Sequence, residues 1–326
     1  MFGQVVIGPP GSGKSTYCYG MHQFFSAIGR KLCVINLDPA NDRLPYGRCE
    51  LDIRDFITLE DIMEELNLGP NGGLMYALEN LDDEGIDDFI ERIDKLVKDK
   101  NYLIFDCPGQ VELFTHHTSL YKIFKKLTKV SKLRLCVVSL VDCIQLTSPS
   151  QYISTLLLTL RSMLQLDLPQ VNVISKIDML LNYGELPFRL DYYTEVQDLK
   201  YLLKYIKDES KSALGQNYVR LTEMIAELVE DFNLVSFEVL SVENKQSMIN
   251  LLSVIDKANG YSFGSEVGGD MIWSEATRQG TLPGFANIDI HERWIERKNE
   301  FDQKEREDQE NYMNSMSNDE EFLDEH

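Results

Sequence analysis

Long hydrophobic stretches, paired cysteines and positive charge are all scarce in this chain of 326 residues. No run of eighteen apolar residues occurs, so the sequence predicts no membrane-spanning helix and no membrane partner. The N-terminus has no basic segment ahead of a long apolar stretch, and we therefore expect no secretory signal. The six cysteines form no Cys-x-x-Cys pair, which predicts reduced, mostly buried thiols. These features favour a cytoplasmic protein, with shuttling to the nucleus left open.

Acidic residues outnumber basic residues by 53 to 32, which gives a formal net charge of −21. Such a surface repels the phosphate backbone of DNA and RNA, so we expect no direct nucleic-acid binding. Residues 289–326 hold fourteen acidic and five basic side chains, a net charge of −9. Charge on every side of 289–312 predicts a solvated helix, and the end of the chain is expected to be disordered.

Apolar runs alternate with amphipathic segments along most of the chain. The runs are apolar throughout, as strands covered on both faces of a parallel sheet must be. The predicted strands are 4–7, 31–37, 102–105, 133–141, 171–175 and 236–240. The predicted helices include 14–28, 59–66, 74–81, 86–98, 118–129, 149–166 and 247–258. This alternation predicts an α/β fold with a doubly wound, mainly parallel sheet, and the stretch from about 183 to 235 predicts a helical insertion.

Residues 68–73 read Leu-Gly-Pro-Asn-Gly-Gly and lie between two predicted helices. Proline, asparagine and three glycines in six positions predict an exposed turn that separates helix 59–66 from helix 74–81. Taken alone, this segment is most simply a helix–helix connection.

The first predicted strand leads directly into Gly8-Pro-Pro-Gly-Ser-Gly-Lys-Ser, and a helix follows. This is the Gly-x-x-x-x-Gly-Lys-Ser pattern of the P-loop NTPase fold, whose backbone N–H groups surround phosphate oxygens. The helix N-terminus adds about half a positive charge. We expect Lys14 to reach the β- and γ-phosphates and the Ser15 hydroxyl to bind Mg²⁺. The predicted nucleotide-binding residues here are Gly8, Gly11, Ser12, Gly13, Lys14, Ser15 and Thr16.

Aspartates follow two of the strands, where ligand sites of open α/β sheets lie. Asp38 follows the second predicted strand and Asp106 the third, so both are candidates, with Ser15, to hold Mg²⁺ or to orient an attacking water. Asp38 also fits a simple turn. Asp106 opens an Asp-x-x-Gly pattern ending at Gly109, whose N–H senses the γ-phosphate in GTPases. The candidates for catalysis around this water are Asp42, Asp106, Gln110 and Glu112.

The fifth predicted strand ends in Ser-Lys-Ile-Asp, which resembles the guanine motif Asn/Thr-Lys-x-Asp. The Asp178 carboxylate can accept hydrogen bonds from guanine N1–H and the N2 amine, whereas adenine offers neither donor. A buried group left unpaired costs about 1–3 kcal/mol, which predicts GTP and GDP as the ligands. Lys176 is expected along the base, and Ser175 stands where asparagine is usual. Ser241 and Val242 follow the last strand, where GTPases usually have Ser-Ala.

Five segments, in order and spacing, make the chain resemble the GPN-loop GTPases over about residues 2–264. They are Gly-Pro-Pro-Gly-Ser-Gly-Lys-Ser, Leu-Asp-Pro-Ala-Asn-Asp, Leu-Gly-Pro-Asn-Gly-Gly, Phe-Asp-Cys-Pro-Gly-Gln-Val-Glu-Leu-Phe-Thr and Ser-Lys-Ile-Asp. The resemblance implies a dimeric P-loop GTPase of the SIMIBI class, in which each subunit's Gly-Pro-Asn loop reaches its partner's nucleotide site. On this sequence it assigns Gly69, Pro70 and Asn71, with the Asn71 amide as a donor to the γ-phosphate or to released phosphate.

The resemblance also implies a division of the chain and a set of partners. Residues 1–264 would form the GTPase domain and 265–326 a loop, a charged helix and an acidic tail. The partners would be a second copy or another GPN-loop GTPase, and RNA polymerase subunits or assembly factors. The implied role is assembly and nuclear import of RNA polymerase II and related polymerases. A P-loop kinase of a small molecule, or a nucleotide-gated assembly scaffold with negligible turnover, stays open as an alternative.

Overall fold

A parallel sheet of seven strands forms the centre of the protein. The computed structural model describes residues 1–41, 44–47, 49–81, 85–99, 101–209, 213–261 and 289–307. Asp42 and the predicted acidic tail from residue 308 onward therefore lie outside the described residues. The strands are β1 (Phe2–Ile7), β2 (Leu32–Asn36), β3 (Leu51–Asp52), β4 (Tyr102–Asp106), β5 (Arg134–Asp142), β6 (Gln170–Ser175) and β7 (Phe237–Val239).

The strand order is β3-β2-β4-β1-β5-β6-β7, and neighbouring strands pair in parallel throughout. This confirms the predicted α/β class with its doubly wound sheet. β1 lies between β4 and β5, with Val6 paired to Asp106 on one side and Val138 on the other. The segment after β1 is therefore next to the carboxyl end of β4. Sequence reasoning missed β3, because two residues are too short to show a strand pattern.

Helices cover both faces of the sheet. They are α1 (Lys14–Ala27), α2 (Leu59–Leu66), α3 (Pro70–Asn80), α4 (Ile86–Lys98), α5 (Val111–Thr115), α6 (Ser119–Val130), α7 (Pro149–Leu166), α8 (Leu180–Tyr183), α9 (Leu190–Glu195), α10 (Leu202–Glu209), α11 (Ala213–Phe232) and α12 (Lys245–Asn259). Alternate strand residues enter different cores: Val5 packs with α4 and α6, and Val6 packs with α1 and α12. Helices α8–α11 lie between β6 and β7, around a third apolar cluster that includes α7.

The predicted turn at 68–73 is wrong in its extent. The chain turns at 67–69, with Asn67 in the left-handed conformation, and α3 already begins at Pro70. Proline is favoured at the first position of a helix because that position needs no backbone N–H donor. Gly73 is helical and lies against α2, where a Cβ atom would be 2.7 Å from Leu59 Cδ1. The glycine thus allows close helix packing rather than a break in the helix.

The expectation of a solvated helix at 289–312 is wrong for residues 290–296, whereas residues 298–307 are helical and mostly exposed. Trp294 is 6% exposed and Arg293 is 8% exposed, and Ile290 and Ile295 pack on the third cluster. The acidic side chains around Trp294 hid this apolar face in the sequence. A π-helical turn, Glu292–Glu296, places Trp294 on the domain.

The cysteines are free, and five of the six are buried, as predicted. Within the described ranges, none of the helices is long and apolar enough to cross a membrane.

A buried ion pair connects the end of α1 to α12. The Arg30 side chain is fully buried, and its Nη1 donates to Asp256 Oδ2 at 3.1 Å. Its guanidinium carbon lies 4.6, 5.1 and 4.4 Å from the ring centroids of Phe25, Tyr102 and Tyr261. Both the ion pair and the stacking stabilise this charge in the core.

Replacing Arg30 with alanine should lower the free energy of unfolding by about 3–5 kcal/mol, because the Asp256 carboxylate is then buried without its cation. Lys95→Ala is the matched control. It breaks an exposed pair with Glu91, whose N–O distance is 3.0 Å, and should cost about 0.5 kcal/mol or less. Denaturant unfolding followed by circular dichroism measures both variants. Equal costs would contradict a stabilising role for the buried pair.

Candidate nucleotide-binding site

The loop between β1 and α1 forms a concave backbone surface. Gly8, Gly11 and Gly13 have φ angles of 149°, 79° and 89°, which favour glycine. A Cβ atom on Gly8 would lie 2.4 Å from the Leu140 carbonyl oxygen, so a larger residue does not fit there. Gly13 is the N-cap of α1 and brings the free N–H groups of the helix to this loop. The surface is built to bind an anion.

Lys14 and Gly109 meet above this loop. Lys14 Nζ lies 3.4 Å from the Pro9 carbonyl oxygen. A Cβ atom on Gly109 would lie 3.0 Å from Lys14 Nζ and 3.2 Å from Pro10 Cα. Burial lowers the pKa of Lys14, although the carboxylates of Asp106 and Asp38 act in the opposite direction. The Asp-x-x-Gly turn is therefore in direct contact with the P-loop.

Asp106 lies at the buried end of β4 beside Lys14. The Tyr46 hydroxyl donates to Asp106 Oδ2 at 3.1 Å. The other oxygen, Oδ1, is buried and accepts no hydrogen bond from any residue that the structure describes. Burial raises the pKa of Asp106, against the effects of Ser15, Lys14 and Tyr46. Because buried carboxylate oxygens normally have partners, Oδ1 fits a water or a cation.

The side chains near Asp106 suit a magnesium ion. Asp106 and the Ser15 hydroxyl supply oxygen atoms, which Mg²⁺ prefers, often through waters. Asn41 Nδ2 lies 3.4 Å from Ser15 Oγ, at the edge of the same site. Asp38 Oδ1 accepts the Ala40 N–H at 3.0 Å, so this carboxylate also stabilises the turn after β2. Of the three predicted metal ligands, Ser15 and Asp106 fit best.

The Ser-Lys-Ile-Asp segment is tied to the P-loop. Ser175 Oγ lies 2.7 Å from the Ser12 carbonyl oxygen and 3.0 Å from the Val141 carbonyl oxygen. Lys176 is left-handed, with φ 56°, and its Nζ donates to the Gly11 carbonyl at 2.6 Å. The hydroxyl of Ser175 thus supports the P-loop from the position where the guanine motif usually has asparagine.

Asp142, at the end of β5, was missed from the sequence. Its Oδ2 accepts from Lys176 Nζ at 2.7 Å, and this hydrogen bond raises the pKa of Lys176. The sequence did contain a pattern that could have indicated Asp142, because this residue follows an apolar strand as Asp38 and Asp106 do. Tyr46 was also missed, and it lies in a loop with no pattern that could have indicated it.

The segment after β7 packs beside this site. Ser241 is buried, and its N–H donates to Ser247 Oγ at 3.0 Å. Val242 contacts α1, where a Cβ atom on Gly20 would lie 2.4 Å from Val242 Cγ1. The Ile177 N–H donates to the Leu240 carbonyl at 3.2 Å. The two predicted base-binding segments are therefore hydrogen-bonded neighbours.

The remaining predicted residues belong to the Gly-Pro-Asn segment, to the start of α5 and to exposed positions of the P-loop and α1. Asn71 is exposed near the N-terminus of α3, and among the described residues no hydrogen bond joins it to the P-loop. Gly69 is the N-cap of α3, and its carbonyl accepts the Gly73 N–H at 2.9 Å. Gln110 stands at the N-cap position of α5 without a side-chain capping hydrogen bond, and Glu112 is exposed on α5. The other exposed members of the predicted set are Gly11, Thr16, Gly69 and Pro70.

Comparison with known proteins gives consistent matches. A family model described as a conserved hypothetical ATP binding protein matches residues 6–261. GPN-loop GTPase 2 of Saccharomyces cerevisiae is 67% identical over 308 residues, or 94% of this chain and 88% of the relative. GPN-loop GTPase 2 of Schizosaccharomyces pombe is 52% identical over 307 residues, with 93% and 94% covered. A Pyrococcus abyssi GTPase solved in its apo form aligns with a TM-score of 0.61 and 25% identity, over 79% of this chain and 97% of that one.

The family model's description names ATP, whereas the relatives and the solved neighbour are named GTPases. The relatives decide between the two, because they match nearly the whole chain at high identity. The order of the P-loop, Asp-x-x-Gly and Ser-Lys-Ile-Asp segments around one site agrees with them. This chain therefore belongs to the GPN-loop GTPase family and is a GTP-binding GTPase.

Proposed function

We propose that the chain is a magnesium-dependent switch that binds and hydrolyses GTP as a dimer, with each subunit lending its Asn71 amide to the other's site. One observation carries the proposal. The phosphate-binding groups of one chain meet at Lys14 and Gly109, while Asn71 stands exposed at the start of α3, away from that cluster. An exposed amide in the first turn of a helix suits delivery to a second subunit. The partner would be another copy or another GPN-loop GTPase.

Hydrolysis would follow from charge stabilisation by this chain's own groups. A water would attack the γ-phosphorus as its bond to the β–γ bridging oxygen breaks, so that GDP leaves and the water's oxygen becomes part of the released phosphate. Lys14 and the P-loop N–H groups would hold the phosphate oxygens during this step. Gln110 and Glu112 flank the Asp-x-x-Gly turn and are the described candidates to position that water, and Asp42 remains a candidate from sequence. The Asn71 amide of the partner subunit would donate to the γ-phosphate. Bound Mg²⁺, held by Ser15 and Asp106, would neutralise phosphate charge.

Guanine would be selected by the segments after β6 and β7. The half-buried Asp178 carboxylate would accept from guanine N1–H and the N2 amine. Lys176 Nζ is held by the Gly11 carbonyl and by Asp142, and its aliphatic stem would lie beside the base. These contacts would favour GTP and GDP over the adenine nucleotides.

The proposed cellular role is assembly and nuclear import of RNA polymerase II and related polymerases, with polymerase subunits or assembly factors as clients. Its support is the resemblance to the GPN-loop family. A Lys14→Ala chain tests it in cells: loss of nuclear polymerase with retained client binding supports a nucleotide-driven switch. Normal polymerase levels and distribution would contradict the role.

Asp106→Asn should raise the Mg²⁺ concentration needed for half-maximal GTP hydrolysis about 10–100-fold, because it removes a charged oxygen from the metal site. Asp208→Asn, an exposed change on α10, should leave that concentration unaltered. A phosphate-release assay across a magnesium titration measures both. An unchanged magnesium requirement in Asp106→Asn would count against the assigned metal site.

A mixing experiment tests supply of Asn71 in trans. An Asn71→Ala chain and a Lys14→Ala chain should each be inactive alone. Random pairing makes half of the dimers mixed, each with one complete site, so turnover should recover to about a quarter of wild type. Glu65→Ala, an exposed change on α2, should remain active without mixing.

The mass of the mixture in solution is measured alongside its turnover. Mixed dimers that form without regaining turnover would contradict delivery of the amide from the partner subunit.

A further inference from the structure

The C-terminal segment 289–307 is anchored to the domain through Trp294. Trp294 belongs to the same buried cluster as Ile174, near the end of β6, and Leu190, at the start of α9. His291 Nδ1 accepts the Leu190 N–H at 3.0 Å. The segment is therefore part of the folded domain and belongs to the same apolar cluster as the strand that ends in Ser-Lys-Ile-Asp.

Arg293 connects the Trp294 turn to the helix that follows it, residues 298–307. Its Nη2 lies 3.1 Å from both carboxylate oxygens of Glu305 and 2.9 Å from Asp302 Oδ1. Its guanidinium carbon also lies 4.4 Å from the Trp294 ring centroid and 5.5 Å from that of Phe301. Because the Arg293 side chain is only 10% exposed, these contacts fix residues 298–307 relative to Trp294.

Two side chains of this helix reach the two base-binding segments. Lys298 Nζ donates to the Asp178 backbone carbonyl. Glu305 Oε2 accepts from Asn244 Nδ2 at 2.5 Å. Asn244 lies just beyond Ser241 and Val242, so both segments have a partner on the same helix.

Further hydrogen bonds connect Asn244 to the interior of the domain. Asn244 Oδ1 accepts the Ser247 N–H at 2.8 Å, and Ser247 Oγ accepts the Ser241 N–H at 3.0 Å. A short chain of hydrogen bonds thus runs from Glu305 to the buried backbone of Ser241. Hydrogen-bond networks of this kind rigidify the groups that they connect.

We propose that residues 289–307 form a brace that positions the guanine-recognition segments, with Lys298 as the positioning residue for Asp178. The inference rests on the proposed role of Asp178 in guanine binding. Asp178 lies in a single 3-10 turn, Ile177–Met179, that follows a left-handed Lys176. Lys298 is a charged donor on the carbonyl of that turn and fixes its orientation. The Asp178 carboxylate must be oriented correctly to accept two hydrogen bonds from one base.

The test compares GDP with inosine diphosphate, which lacks the N2 amine. Lys298→Met keeps the aliphatic stem but removes the donor, and should weaken GDP binding about tenfold and inosine diphosphate binding about threefold. Lys298→Arg should restore the preference for GDP. Arg306→Met removes a cation from an exposed position of the same helix and should change neither affinity. Glu305→Gln, a second variant, should also lower the preference for GDP over inosine diphosphate.

Asp178→Ala separates the two proposals. If this variant keeps the wild-type preference for GDP over inosine diphosphate, the assigned guanine contact is wrong. If Asp178→Ala abolishes the preference but Lys298→Met retains it, the brace is wrong while the guanine contact stands. Equal weakening of both nucleotides by Lys298→Met would also overturn the brace, because general loosening of the fold does not distinguish the two bases. Affinities are measured by isothermal titration calorimetry on the full chain.

Discussion

The hydrogen bonds from Ser175 and Lys176 to the P-loop carbonyls hold the two halves of the nucleotide site together. A loop that turns its N–H groups toward phosphate turns carbonyl groups the other way, and those carbonyls need donors. Ser175 lies 2.7 Å from the Ser12 carbonyl oxygen, and Lys176 Nζ lies 2.6 Å from that of Gly11. The segment proposed to bind the base therefore supplies the outer support of the phosphate-binding loop. A shift of either half would disturb the other.

This constraint explains why a serine can replace the usual asparagine. Its hydroxyl retains the bridge between β6 and the P-loop, with the Val141 carbonyl as a second neighbour at 3.0 Å. Lys176 is shared between Gly11 and Asp142 and so couples the ends of β5 and β6. The C-terminal segment adds a further layer, because Lys298 contacts Asp178 from outside. Support of the proposed base position thus extends from the P-loop to the last described helix.

Much of the fold could be predicted, because buried parallel strands and amphipathic helices have clear periods. The P-loop and Asp106 were predictable for the same reason, since their patterns follow strands directly. The start of α3 at Pro70 was not predicted. The low helix propensity of glycine is a property of isolated chains, and it takes no account of the packing of Gly73 against Leu59. Contacts such as Lys298 with Asp178 join residues 120 positions apart, and no local pattern reports them.

The central claim is that a guanine nucleotide is enclosed by two subunits, with base and phosphates held by one and an amide added by the other. A crystal structure with a non-hydrolysable GTP analogue and Mg²⁺ tests it most directly. The account predicts guanine on Asp178, the γ-phosphate between Lys14 and Gly109, and Asn71 of the partner subunit within hydrogen-bond distance of that phosphate. A monomer with a complete site, or a dimer with both Asn71 side chains remote from nucleotide, would contradict it.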